Sequence, residues 1–251
     1  MSEALKEDVR RYWEAAPCGA KTASAAPGTA EFFRQVEEWR YSVEPFIPEI
    51  ARFDDAAGKD VLEVGIGLAT DFVRFVRAGA RATGIDLTEA AVAAARERLE
   101  QEGLEAEVLV ADAESLPFGD ESFDVVYSYG VLHHTPDPAR ALREVHRVLR
   151  PGGEARIMLY SRRSWFAFAV WARHVLRRRR PWHSLTTALA QDLESPGTKA
   201  YTQAELEGLF APFARVSFRR YVTPYDRRVA GPLARLAGPR LGWFVAIAAR
   251  R

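Results

Sequence analysis

The sequence predicts an α/β fold: a doubly wound, seven-stranded, mostly parallel sheet with a helical N-terminal cover and a cap inserted after the fifth strand. Three observations carry this. Between Lys59 and Tyr160, short apolar runs of strand length alternate with segments of helical period, which implies right-handed crossovers and a sheet covered on both faces. The run Val61-Leu62-Glu63-Val64 feeds into Gly65-Ile66-Gly67-Leu68-Ala69, after which Phe72, Val73, Phe75 and Val76 recur at helical spacing. In open α/β sheets a strand, glycine turn and helix start of this kind mark the switch point where ligands bind. Glycine there lets the backbone approach a ligand, and the helix N-terminus offers unpaired N–H groups. Finally, acidic residues stand at or just past the ends of the first three strands: Glu63, Asp86 and Asp112.

Taken in order, residues 3–15 predict a helix with Leu5, Val9, Tyr12 and Trp13 on one side, ended by Pro17-Cys18-Gly19. Further helices follow at residues 30–41 and 49–53. The aromatics of this region, from Tyr12 to Phe46, predict a packed cover over residues 1–58 and not a disordered tail. The sheet domain, residues 59–251, then reads as strands at 61–64, 81–85, 107–110, 123–128 and 154–160. Its helices fall at 70–78, 89–102 and 138–149. Past Ser161 an amphipathic helix at 165–179 ends in Arg177-Arg178-Arg179-Arg180-Pro181, and a loop-rich stretch reaches Ala200. Residues 161–200 thus form the inserted cap. Thr202 and Glu205 have the spacing of a capping box for a helix running to residue 210. Strands at 214–221 and 243–249 close the chain, joined by a linker rich in proline and glycine.

The chain has 251 residues, 48% of them hydrophobic and 27% charged, enough for a sizeable core in one large domain. A net charge of +1 gives no global field for nucleic acid. Cys18 is the sole cysteine, which excludes an intrachain disulfide framework and a multi-cysteine zinc site. The charged N-terminus lacks an apolar signal core, and the stretch from Trp165 to Leu176 is too short to span a bilayer. A cytoplasmic protein without stable membrane insertion is expected, as a monomer or homodimer.

In a doubly wound sheet the C-terminal ends of adjacent parallel strands line one edge, so Glu63, Asp86 and Asp112 can meet one crevice. A carboxylate after the second strand suits a ribose diol. One after the third suits the amino group of an adenine, and Glu63 can orient the glycine turn. Each could equally cap a helix or end a solvated loop. A nicotinamide dinucleotide needs a glycine at the sixth position of the turn, where this chain has Thr70. A ligand with ribose and adenine but no pyrophosphate fits better.

These residues resemble the motifs of class I S-adenosylmethionine-dependent methyltransferases of the small-molecule type, a Rossmann-like superfamily that includes the ubiquinone/menaquinone-biosynthesis enzymes. Glu63-Val64-Gly65-Ile66-Gly67 resembles the first motif, and Gly84-Ile85-Asp86-Leu87-Thr88 resembles the ribose-binding segment. Ala111-Asp112-Ala113-Glu114 resembles the start of the adenine segment, residues 123–134 the fourth-strand motif, and Leu149-Arg150-Pro151-Gly152-Gly153 the turn before strand five. Ala69 departs from the pattern, which usually has a third glycine there.

The resemblance implies S-adenosylmethionine as methyl donor, S-adenosylhomocysteine as product, no metal, and in-line transfer to an O, N, S or C nucleophile of a small-molecule acceptor. It implies cofactor contacts from Glu63, Gly65, Gly67, Asp86, Leu87, Asp112, Ala113, Ser128 and Tyr129, with Tyr12 and Trp13 closing over the site. The alternatives are a non-catalytic S-adenosylmethionine-binding protein, or a methyltransferase acting on protein or nucleic acid. His133, His134 and Tyr129 are the catalytic candidates, since histidine titrates near neutral pH and suits a general base. The two histidines could instead only close a turn and pack the pocket edge. Trp165, Phe166, Phe168 and Trp171 are candidates for an acceptor wall or for core under the cap, and Tyr201, Tyr225 and Asp226 for the acceptor side. Cys18 is read as inert, and the four arginines as a solvated helix end in preference to a site for an anionic acceptor or a membrane surface.

Overall fold

The sheet in the computed structural model, which describes residues 2–15, 17–236 and 238–251, has the predicted number of strands. They are β1 (Asp60–Val64), β2 (Arg81–Asp86), β3 (Glu107–Val110), β4 (Phe123–Tyr129), β5 (Leu149–Tyr160), β6 (Arg215–Tyr221) and β7 (Phe244–Arg250). Their spatial order is β3-β2-β1-β4-β5-β7-β6. The pairs from β3 to β5 are parallel, while β7 runs antiparallel to both β5 and β6. The chain reverses direction across the sheet between β1 and β4, so the glycine turn after β1 opens into the crevice at that switch point.

Strand alternation divides the core into two faces. Leu62, Val64 and Val126 pack with Leu142, Val145 and Val148 of α6 (Pro138–Val148) and with Leu206 of α9 (Gln203–Leu209). Val61, Val125 and Tyr127 point the other way, onto Phe72 and Phe75 of α4 (Phe72–Arg77) and Val92 and Leu99 of α5 (Glu89–Glu102). Glu63, two residues after Val61, shares this second face with Tyr127 and Tyr129.

The N-terminal segment contains α1 (Ser2–Ala15), α2 (Ala30–Val43) and α3 (Ile47–Ala51). Phe32, Phe33 and Val36 of α2 bury against Leu68 of the glycine turn. Glu14 of α1 accepts the N–H groups of Glu89 and Ala90, capping α5 from outside at 3.1 and 3.0 Å.

The capping box at Thr202 and Glu205 forms as predicted and starts α9. Two connections differ from expectation. The loop-rich stretch after α7 (Trp165–Arg178) contains α8 (Leu185–Asp192), and the linker before β7 contains α10 (Pro224–Ala230) and α11 (Pro232–Leu236). The four arginines lie at and just past the end of α7, as read from the sequence.

Candidate functional site

The strand ends and the N-terminal helices enclose a cavity of about 450 Å³. Glu63, Gly65, Gly67, Asp86, Leu87, Asp112 and Ala113 all line it. The turn takes its shape from positive φ at Gly65 (84°) and Gly67 (50°), and Ala69 adopts the same left-handed region at 57°. A Cβ at Gly65 would meet Val131 at 2.2 Å, whereas one at Gly67 would meet nothing within 4 Å. Gly65 is therefore needed for packing as well as for φ, while Gly67 leaves its backbone open to the cavity. The Gly67 N–H donates to Asp86 Oδ2 at 3.0 Å, and Thr88 donates through its N–H and hydroxyl to Asp86 Oδ1 at 3.0 and 2.8 Å. Burial nevertheless raises the Asp86 carboxyl above its ordinary range.

Glu63 is 4% exposed, and its Oε2 has no hydrogen-bond partner among the described residues. Burial, reinforced by Asp71, pushes its carboxyl far above the usual range, against the pull of Arg40. Asp71 has the opposite fate. Burial pushes it up, but the Arg40 guanidinium and bonds from Arg40, Tyr41 and Tyr127 outweigh that and hold it below the carboxylate range. Arg40 Nη2 lies 2.7 Å from Asp71 Oδ2, and both tyrosine hydroxyls donate to Asp71 at 2.8 Å. Arg40 also sits 5.0 Å over the ring of Tyr129. Glu44 completes this wall, its carboxyl raised by burial.

Asp112 accepts the Lys6 ammonium at 2.6 Å, and Lys6 also reaches Glu114 at 3.1 Å. That contact ties α1 across the mouth beside β3. Trp13 lines the cavity and meets the His134 ring edge-on, with centroids 5.2 Å apart. Tyr12, also expected to close over the site, is 42% exposed and lies outside the lining, meeting the Trp13 ring edge-on at 4.9 Å. Ser128 also lies outside it. Strand alternation turns Ser128 to the face opposite Tyr127 and Tyr129, where its hydroxyl donates to the Val64 carbonyl at 3.0 Å.

The two histidines separate sharply. His133 is fully buried, lies tilted against Tyr160 with centroids 3.8 Å apart, and has no partner on either ring nitrogen among the described residues. Burial, with His134 and Lys199 nearby, drops it well below its normal range. It stays neutral and does not line the cavity. His134 does line it. Its Nδ1 lies 2.8 Å from Ser195 Oγ and 3.0 Å from Thr198 Oγ1, and its Nε2 lies 3.4 Å from Glu194 Oε2. Thr198 donates its hydroxyl proton to the Ser195 carbonyl at 2.6 Å. Thr198 Oγ1 can therefore only accept from His134 Nδ1, whereas the Ser195 hydroxyl can donate to that nitrogen, so these contacts accommodate either tautomer of His134. Tyr160 donates to Glu194 Oε2 at 3.1 Å. His133, His134 and Glu194 also bring possible metal-ligand atoms within 4.8 Å of one another.

Of the expected acceptor wall, Phe166 lines the cavity, while Trp165, Phe168 and Trp171 do not. Tyr225 lines it and Tyr201 is buried elsewhere. Asp226 is a structural anchor: fully buried, it accepts from Thr223, Phe166 N and Trp243 N. Cys18 lines the cavity with its side chain open to solvent, and the protein groups crowded around it push its thiol up to about 11, so it is not a thiolate at neutral pH. Arg40, Glu44, Asp71, Glu194, Ser195 and Thr198 carry no motif in the sequence. Only Asp71, at the first helical turn after the glycines, stood where a signal could be sought.

Comparison with known proteins agrees with this geometry. Residues 62–157 match the family model described as a methyltransferase domain. Over 109 residues, 42% of this chain, the sequence is 39% identical to the methyltransferase GfsG of Streptomyces halstedii. Over 110 residues, again 42% of the chain, it is 42% identical to the ubiquinone/menaquinone biosynthesis C-methyltransferase UbiE of Dinoroseobacter shibae. These matches span 39% and 44% of the two relatives' own lengths. Among solved structures, the 4+2 cyclase SpnF superimposes with a TM-score of 0.56 at 18% identity, over 87% of this chain and 95% of that one. The last likeness concerns the fold alone. Among the described residues, no helix is long and apolar enough to cross a membrane. The matched segment runs from β1 into β5 and carries the glycine turn and the acidic strand ends that line the cavity, so this part of the chain is similar to a methyltransferase domain.

Proposed function

We propose that the protein transfers a methyl group from S-adenosylmethionine to a small-molecule acceptor, with His134 as general base. The observation that carries this is the meeting of Glu63, Gly65, Gly67, Asp86 and Asp112 with His134 in one cavity. The buried, unpartnered Glu63 carboxyl and the open backbone at Gly67 fit a ligand with an amino-acid end and a ribose. Such a ligand supplies a sulfonium methyl that is already activated, so the chain's own work is alignment and proton handling.

In this reading Asp86 accepts the ribose hydroxyls and Asp112 the adenine amino group, and Leu87 and Ala113 flank the base. A cation held against Glu63 returns its carboxyl to the charged form. Trp13 and Lys6 of α1 exclude water over the site. In its Nδ1–H tautomer, bonded to Thr198, His134 takes the acceptor's proton on Nε2, and Glu194 stabilises the imidazolium so formed. The acceptor side is the cap, residues 161–200, with Phe166 and Glu194 facing the cavity. No metal is required in this scheme. A second reading, favoured by the proximity of His133, His134 and Glu194, is that this trio holds a divalent cation.

One experiment tests the assignment: calorimetric binding of S-adenosylhomocysteine, followed by its production from S-adenosylmethionine with a panel of phenols, quinols and amines. His134→Gln is expected to lower kcat by about 10²–10⁴-fold with cofactor affinity unchanged, and chelator to leave the wild type active. No binding to the wild type overturns the cofactor reading. An unchanged kcat in His134→Gln overturns the base, and chelator loss restored by a divalent metal favours the second reading.

A further inference from the structure

Helix α7 has two faces, and the cavity uses only one. Phe166, Val170 and Arg173 line the cavity, and Ala167 and His174 are buried beneath the helix. A surface helix should show polar residues on its remaining stripe. Here that stripe is Trp165, Phe168, Ala172, Val175 and Leu176, with Phe168 57% and Leu176 78% exposed. Trp182, just beyond the helix, is 74% exposed. α10 packs beside α7 on its cavity side, with the Tyr225 ring 5.2 Å from that of Phe166, and leaves the outer stripe uncovered.

This patch is rimmed by positive charge. Arg178 pairs with Asp192, but Arg177, Arg179 and Arg180 have no ionic partner among the described residues. Residues 161–200 hold eight lysines and arginines against two acids, in a chain whose net charge is only +1. A solvated helix end accounts for the arginines through the helix dipole. It does not account for Phe168, Leu176 and Trp182 in water beside them. A contiguous apolar patch with a polar rim is an interaction surface, and the sign of the rim selects an anionic partner. Aromatic and aliphatic side chains flanked by arginines, on a helix too short to span, match what a lipid headgroup layer accepts.

We propose that this face docks the protein on an anionic membrane surface, with α7 in the headgroup plane and its inner side still walling the cavity. Docking of this kind is independent of the cavity's chemistry. It also sets the cavity beside the lipid, where an amphiphilic small molecule would be met.

The test is co-sedimentation of the full chain with vesicles of phosphatidylcholine alone and of equimolar phosphatidylcholine and phosphatidylglycerol. Binding is expected on the anionic vesicles only, with release at high salt as the Debye length shrinks to about 3 Å. The triple variant Arg177→Gln, Arg179→Gln, Arg180→Gln should lose about 100-fold in partitioning, given roughly fivefold per arginine near the surface. Phe168→Ser with Leu176→Ser should lose binding to a similar degree. All five positions are exposed, and an unchanged melting temperature and S-adenosylhomocysteine affinity establish that the variants are folded. Failure of the wild type to bind anionic vesicles overturns the proposal, as does undiminished binding by the arginine variant. A wild-type dimer in light scattering that Phe168→Ser with Leu176→Ser dissociates, with no vesicle binding, overturns it in favour of self-association.

Discussion

Ala69 holds φ at 57° in the turn that shapes the site. A Cβ in the left-handed region costs about 1–2 kcal/mol, and Ala69 is fully buried, so water does not relieve it. Ala69→Gly should therefore stabilise the fold by about 0.5 kcal/mol after the entropy of the unfolded glycine is counted, read as a higher urea midpoint with unchanged slope. A lower midpoint would show that the methyl's packing outweighs its strain. His133 offers a second residue-scale test. Its neutral form is held in the fold, while the unfolded chain titrates near 6.5. The unfolded state thus binds the extra proton, and stability should fall as pH drops below about 6.5, by up to about 1.4 kcal/mol per pH unit. His133→Leu, which removes two orphaned nitrogens, should abolish that part of the slope and leave turnover intact. An unaltered acid limb would refute this, and lost turnover would point to a ligand role.

Among elements, the Arg40–Asp71 pair fastens α2 to α4, and Tyr127 fastens β4 to the same carboxylate. Removing one member strands a buried charge. Arg40→Met should cost about 3–5 kcal/mol in chemical denaturation, and a cost below about 1 kcal/mol would mean that Asp71 finds compensation from the tyrosines. The elements with strong periodic signals were readable from the sequence. α5 spans the predicted residues, and α9 starts at its predicted capping box. α8, α10 and α11 were not readable, because they are short and two of them begin with proline in segments of turn-like composition. What holds α10 is remote: Asp226 accepts from its own cap at Thr223, from the start of α7 and from the start of β7.

For the whole molecule, the cavity is built jointly by the sheet edge, α1, α2 and α7, so a ligand that fills it should tie these parts together. At a hundred times its dissociation constant, S-adenosylhomocysteine should add about 2.7 kcal/mol of stability. In a chain of this size that corresponds to a rise of about 5–10 °C in melting temperature. No shift at a concentration that saturates calorimetric binding would show that the ligand binds without engaging the folded cavity.

By itself the sequence determined the order of strands and helices, the glycine turn, and the acidic residues at three strand ends. All of these are local: they follow from periodicity of two or 3.6 and from residues that tolerate particular φ. The tertiary structure decided which of two adjacent histidines faces the cavity, that Ser128 turns away from it, and that Glu194 and Thr198 stand beside His134. Those facts rest on contacts between residues about sixty positions apart, and no spacing rule within one element encodes them.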